Sequence, residues 1–394
     1  MSQESEISRV VKVDDDISNE EKNVSTTVTA HQKARIRWTR RRIIFFVGLT
    51  SLVLGLVAII VALPIELLRR GKGDKRAATG GPDRQVNHPS HSQPIMVVKN
   101  FPDPGVLEYN GTWYAFATNP KKFDLNVHPH VPMAVSYNFI NWTLLSQDAL
   151  PVVGLWEKGE NHWAPDVLHR DDGRFVLYYS GELIDWSPHH CIGVALSNGT
   201  TPLGPYRPAE KPFACPREYG GAIDPSPFRD VDGTVYVTYK ADGNSVGHGG
   251  ACNNGIPPLV NTPIMLQELQ QDGMTPIGDP IEILDITPDD GPLVEAPRII
   301  RATSGTYFLT FSSHCFTSTE YNVKYASSTS VKGPYKRAPE SLLQTGDYNL
   351  TSPGGASISR DGTKMAFHAN CDAGRCMFVA GVNLTASTIE LVPP

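Results

Sequence analysis

Three acidic residues of this chain stand close to proline in a recurring setting: Asp103 in FPDPGVL, Asp224 in AIDPSPF and Glu295 in LVEAPRI. Proline fixes its own φ and restricts the residue before it, so Asp103 and Asp224 are expected in an extended, immobile geometry. Carboxylates held still and brought together can bind a cation or divide acid and base work on a substrate. A cation loop of the DxDxDG kind, with several acids at short spacing, is not in the sequence. Glycosidic cleavage fits better. One carboxyl stays protonated for the leaving oxygen, a second stays ionised to activate water about 6.5–9.5 Å away when the reaction inverts, and a third can raise the donor's pKa. Trp113, Trp156, Trp163 and Trp186 offer rings on which sugar faces can stack.

These acids are far apart in sequence, so a repeated scaffold must bring them together. The stretches FPDPGVLEYNGTWYAFAT, WAPDVLHRDDGRFVLYYS, AIDPSPFRDVDGTVYVTYK, VEAPRIIRATSGTYFLTFS and PGGASISRDGTKMAFHA share one grammar. A small or proline-containing start leads into a short apolar strand, a turn ending in Gly111, Gly173, Gly233, Gly305 or Gly362, and an alternating strand rich in aromatics. With Asp103, Asp166, Asp224, Glu295 and Gly355 as leading positions, the units follow one another by 63, 58, 71 and 60 residues. About four strands per unit, five units and little helical period predict an all-β fold, a five-bladed β-propeller over residues 97–394. The first strand of each blade then lines the axis, and its opening positions meet around one mouth. The glycine-rich KADGNSVGHGGACNNG, from Lys240, lacks the spacing of a phosphate cradle and reads as a blade-connecting loop near that mouth, tied down through Cys252.

Outside the propeller the chain changes character. Residues 1–42 are polar and without apolar period, as in a disordered cytoplasmic tail. Residues 43–65 open with 21 uncharged, mostly apolar residues, enough for a transmembrane anchor. Residues 66–96 read as a flexible stalk. Basic residues flank both ends of the apolar run and fix no orientation. Glycosylation acceptors at Asn110, Asn141, Asn198, Asn349 and Asn383 all follow it, against Asn23 before it, and all six cysteines follow it too. Hence the expectation of a single-pass type II protein with its folded part lumenal or extracellular, with a secreted form as the alternative. Six cysteines allow 15 pairings; the short CDAGRC loop favours Cys371 with Cys376, and Cys191 with Cys215 and Cys252 with Cys315 are taken for the rest. A formal net charge of -6 gives no reason to expect nucleic acid as a partner.

The ordered set FPDPGVL, HWAPDV, AIDPSPF and LVEAPRI resembles glycoside hydrolase family 43, whose five-bladed propellers act on arabinose- and xylose-containing glycans. The resemblance spans about residues 97–390. It implies Asp103 as general base, Glu295 as general acid and Asp224 as pKa modulator in an inverting mechanism, with a poly- or oligosaccharide as partner. Trp163, Asp166 and Arg298 are taken as substrate-binding, Asp166 in an orienting or structural capacity. The family's axial histidine matches His368, a candidate ligand for a structural calcium or a water cluster in the channel; no cofactor is required for the chemistry. Gly354–Gly355 stands where many members carry a histidine, which weakens the metal expectation. The implied activity is cleavage of α-L-arabinofuranosyl linkages, with β-xylosidase or galactan-directed action, or glycan binding without catalysis, as alternatives.

Overall fold

The computed structural model describes residues 93–119 and 128–394. The expected tail, membrane anchor and all but the last residues of the expected stalk lie outside the described residues. Among the described residues no helix is long and apolar enough to cross a membrane.

Five antiparallel sheets make the predicted five-bladed propeller, the first four of them simple four-stranded meanders that follow one another along the chain. Their first strands are Gly105–Tyr109, Trp163–His169, Ala222–Arg229, Val294–Arg301 and Gly354–Ile358, in blades 1 to 5. The hairpin glycines all carry the positive φ their turns require, from +72° at Gly111 and Gly362 to +92° at Gly305. Blade 5 closes the ring with sequence from the other end of the chain: Ile95–Val98 pairs with Gly374–Leu384, two residues before the expected domain start.

The core is distributed among the seams. One apolar cluster lies between each pair of neighbouring blades: Phe116 and Met133 with Val167 and Leu177, Val176 and Val194 with Val235 and Leu269, Leu266 with Ile299 and Phe311, Phe308 and Val323 with Met365 and Phe367, and Val106 with Ala366 and Val379. This stacking differs from what alternation alone suggests, a strand with one face on the core and one in water. Phe175–Glu182 and Val235–Ala241 are buried on both faces, because each second strand has a neighbouring blade above and below it. Trp113, Trp156 and their neighbours join these seams as packing groups. The three disulfides join Cys191 to Cys215, Cys252 to Cys315 and Cys371 to Cys376, the pairs taken from the sequence.

Candidate active site

The starts of all five first strands converge on one cavity of about 320 Å³, counted to its open mouth. Asp103, Asp166, Asp224, Arg298 and Gly355 are among the residues that line it. The first strands of blades 2 to 5 are interrupted near their starts by a bulge with one left-handed residue, Ala164 (φ 43°), Asp224 (59°), Ala296 (52°) and Gly355 (58°), and in blade 1 the left-handed Asp103 (52°) stands two residues before the strand. The expected extended geometry of Asp103 and Asp224 is therefore wrong. Proline follows both, yet tertiary bonds hold them in a region that aspartate visits only at a cost of about 1–3 kcal/mol. Those bonds are specific. The Asp103 N–H donates to His368 Nδ1 (3.2 Å) and the Asp224 N–H to Ser180 Oγ (3.0 Å).

The bulge also corrects the repeat register. Glu295 pairs with Ser312 as Ile223 pairs with Lys240 and Trp163 with Ser180, so Glu295 precedes the left-handed position by one residue, while Asp166 and Arg298 follow it by two. Asp103 and Asp224 are equivalent; Glu295 is level with Trp163 and Gly354; Asp166 and Arg298 form a deeper layer.

Electrostatics separate the three acids. Burial would raise the Asp103 pKa, but the Arg375 guanidinium 3.1 Å away, His368 and the Thr118 hydroxyl, which donates at 2.6 Å, outweigh it and hold the carboxyl well below the usual range. Asp224 goes the other way. Burial and then the neighbouring Glu295 push its pKa up to about 8, against the pull of Lys240. So dry a place beside a second carboxyl keeps Asp224 protonated at neutral pH. Glu295 takes donors on both oxygens, the Tyr321 hydroxyl at 2.7 Å and the Lys240 ammonium at 3.3 Å, whereas Asp224 Oδ2 accepts the Ala296 N–H at 2.9 Å. With no substrate present, a proton rests on Asp224.

The family model described as glycosyl hydrolases family 43 matches residues 92–387. This chain belongs to that family. It is 23% identical over 269 residues to an extracellular endo-α-(1→5)-L-arabinanase of Thermotoga petrophila, an alignment covering 59% of this chain and 50% of that protein. It is 27% identical over 203 residues to an arabinoxylan arabinofuranohydrolase of Paenibacillus polymyxa, covering 44% of this chain and 29% of the other. The chain thus spans half or less of these curated relatives. Its fold matches that of a thermostable family-43 glycoside hydrolase with a TM-score of 0.63 and 24% identity, over 77% of this chain and 96% of that one.

Within this family 43 domain the remaining expected residues fall as follows. Trp163 stands at the level of Glu295 with one face stacked on His190, 3.6 Å between ring centroids; burial pushes the His190 pKa down to about 4, so the backing ring is neutral. Arg298 and Asp166 are committed to protein. Arg298 pairs with Asp166 and donates to the Ile358 carbonyl (3.0 Å), and Asp166 also accepts from Ser226 (2.9 Å), so the pair cross-braces the cavity floor.

His368 is fully buried and its pKa is lowered by that burial, so the ring is neutral. Its Nδ1 lies 3.1 Å from Asp103 Oδ1 and also receives the Asp103 N–H. Both Asp103 contacts fall on Nδ1, and neither involves Nε2. That Nε2 has no hydrogen-bond partner within the protein. Among the described residues no group of three His, Cys, Asp or Glu is arranged to hold a metal. The residues present do not fit the calcium expectation. Gly354 and Gly355 explain the departure from the family pattern. A Cβ on Gly354 would lie 1.9 Å from the Tyr321 ring, and one on Gly355 2.8 Å from His368 Nδ1 and 2.9 Å from Asp103 Oδ1. Tyr321, stacked on His368, fills that space.

Sequence reasoning missed Thr118, Lys240, Tyr321 and Arg375. A signal existed for two of them: Thr118, Ser180, Lys240, Ser312 and His368 occupy one column of the repeat, a polar end to an aromatic strand. Tyr321 and Arg375 come from loops and hairpin ends with no repeat position to mark them.

Proposed function

We propose that this chain hydrolyses α-L-arabinofuranosyl linkages of arabinan- or arabinoxylan-type glycans with inversion, using Asp103 as base, Glu295 as acid and Asp224 as the group that governs the proton supply. The observation that carries the reading is the opposed environment of two acids around one cavity: Asp103 kept ionised, and Asp224, beside Glu295, keeping its proton. Asp103 takes a proton from water as that water attacks the anomeric carbon, and the pair gives its proton to the departing oxygen through Glu295. Trp163, whose other ring face is not occupied by His190, is the stacking surface for a sugar. The relatives named for arabinan and arabinoxylan favour arabinose as the sugar.

The location of the domain is proposed on the same footing: outside the cytosol, through the anchor at 43–65 or by secretion, as the extracellular name of the arabinanase relative suggests. Three disulfides support an oxidising compartment. All five acceptor asparagines after the apolar run are exposed. Strand alternation puts Asn110, Asn141, Asn198 and Asn383 at the end of blades 1, 2 and 5 opposite the cavity mouth, so glycans there leave the mouth clear.

The test is turnover of aryl α-L-arabinofuranoside, aryl β-D-xyloside and linear arabinan by the full chain and by Glu295→Gln. The expected result is preference for the arabinoside and a loss of at least about 100-fold in the variant. Preference for the xyloside replaces the sugar but keeps the machinery. Equal, negligible turnover by both proteins, with glycan retained on an affinity gel, replaces the enzyme with a binding module.

A further inference from the structure

The seams of the propeller share one device, and it breaks at one place. In four of them the side chain that ends the second strand of one blade accepts the N–H of the left-handed residue opening the next. Thr118 Oγ1 accepts from Ala164 (2.8 Å), Ser180 Oγ from Asp224 (3.0 Å), Ser312 Oγ from Gly355 (3.0 Å) and His368 Nδ1 from Asp103 (3.2 Å). The fifth position is Lys240. An ammonium has no lone pair to offer, so the Ala296 N–H turns to Asp224 Oδ2 instead (2.9 Å). Lys240 Nζ reaches Glu295 Oε2 at 3.3 Å and Asp242 Oδ1 at 3.2 Å with no solvent exposure.

A serine closes two of the other seams, so the fold does not require a cation here. Burying one without need is costly, and a buried ammonium persists where ionised partners surround it. Asp242 and Glu295 flank Nζ, and they keep Lys240 charged despite its burial. We infer that Lys240 is a positioning residue that sets how the single proton is divided between Asp224 and Glu295, by holding Glu295 Oε2 and by turning the Ala296 N–H onto Asp224. The inference rests on the proposed hydrolytic reading and deepens it. A cation beside Glu295 makes the pair a stronger acid toward the leaving oxygen, and the Ala296 N–H on Asp224 favours ionised Asp224 once the proton has moved to Glu295. The other groups facing the pair are the Tyr321 hydroxyl on Glu295 and Asp103, itself flanked by His368 and Arg375.

Lys240→Met and Lys240→Ser, the latter restoring the acceptor used in two other seams, are compared with the parent and with Lys240→Arg. Two arabinofuranosides are used, one with an activated dinitrophenyl leaving group and one with an alkyl leaving group that must be protonated. Removing the cation raises the pKa of the pair, so the alkaline limb of kcat/KM moves up by about one pH unit or more. The expected kcat loss is at least about tenfold on the alkyl glycoside and less than about threefold on the activated one, with Lys240→Arg recovering most of it. Equal losses on both substrates with an unmoved limb assign Lys240 to structure alone and overturn the inference. Infrared titration of the protonated-carboxyl band, assigned with Asp224→Asn, reads the same shift without turnover. A band that titrates at the same pH in parent and Lys240→Met overturns the inference even if no glycoside is cleaved; an upward shift supports it and leaves the hydrolytic reading to be judged separately.

Discussion

Replacing Arg375 by methionine removes the guanidinium that sits 3.1 Å from Asp103 Oδ1. Two unit charges at that distance attract by roughly 5 kcal/mol at an effective dielectric of about 20. Arg375 is 24% exposed, so water screens part of this. A residual effect of about 1.5–3 kcal/mol amounts to about one to two pKa units. The sign follows from the side of the ordinary value on which Asp103 lies: it is held low, and losing a cation raises it. A base must be ionised, so the acid limb of kcat/KM on an aryl α-L-arabinofuranoside moves up by about one to two pH units, and the loss is greatest on the acid side. Stability changes by the same linkage. A carboxyl with a depressed pKa stabilises the fold above its unfolded pKa, and that contribution disappears as pH falls through the folded value. Arg375→Met is therefore less stable than the parent above about pH 4, and the gap closes in stronger acid. The pH–rate profile and thermal unfolding across pH check both halves. A uniform fall in kcat with an unmoved acid limb would refute the claim that Arg375 keeps the base ionised.

Three further outcomes are expected. Asp224→Asn removes an acid whose folded pKa is raised to about 8; such a group costs stability as pH rises from about 4 to 8, so the variant melts above the parent at pH 8, converges with it near pH 4 and loses activity. Gly355→Ala forces a Cβ at φ +58° to within 2.9 Å of Asp103 and His368, and thermal unfolding should show a loss of about 1–3 kcal/mol with a larger proportional fall in kcat. Opening Cys252–Cys315, which closes 63 residues, should cost about 4 kcal/mol of stability against about 2 for Cys371–Cys376, which closes 5, measured by denaturant unfolding of the double-serine variants.

The repeat made the blades legible, because each blade needs a positive-φ glycine turn and a strand stacked between neighbours, and both leave marks in sequence. The site was legible in its acids and not in their geometry. Asp103 and Glu295 look like one repeat position, yet a bulge shifts Glu295 by a residue, and a one-residue shift in a strand redirects the side chain. Proline after Asp103 and Asp224 suggested extended backbone, and bonds from His368 and Ser180 overrode that local preference. Arg375 and Tyr321 reach the acids only through ring closure, a long-range event that neither spacing nor propensity encodes. His368 stood out in the sequence, but its contact with the Asp103 N–H is one that no sequence pattern reveals.

The most direct test of the three-carboxylate reading is the configuration of the sugar first released. Proton NMR of aryl α-L-arabinofuranoside mixed with the full chain should show β-L-arabinofuranose ahead of its mutarotation to the α form, and Asp103→Asn should abolish that signal. First appearance of the α anomer would mean retention, with a covalent intermediate, and would contradict Asp103 as the base that activates water.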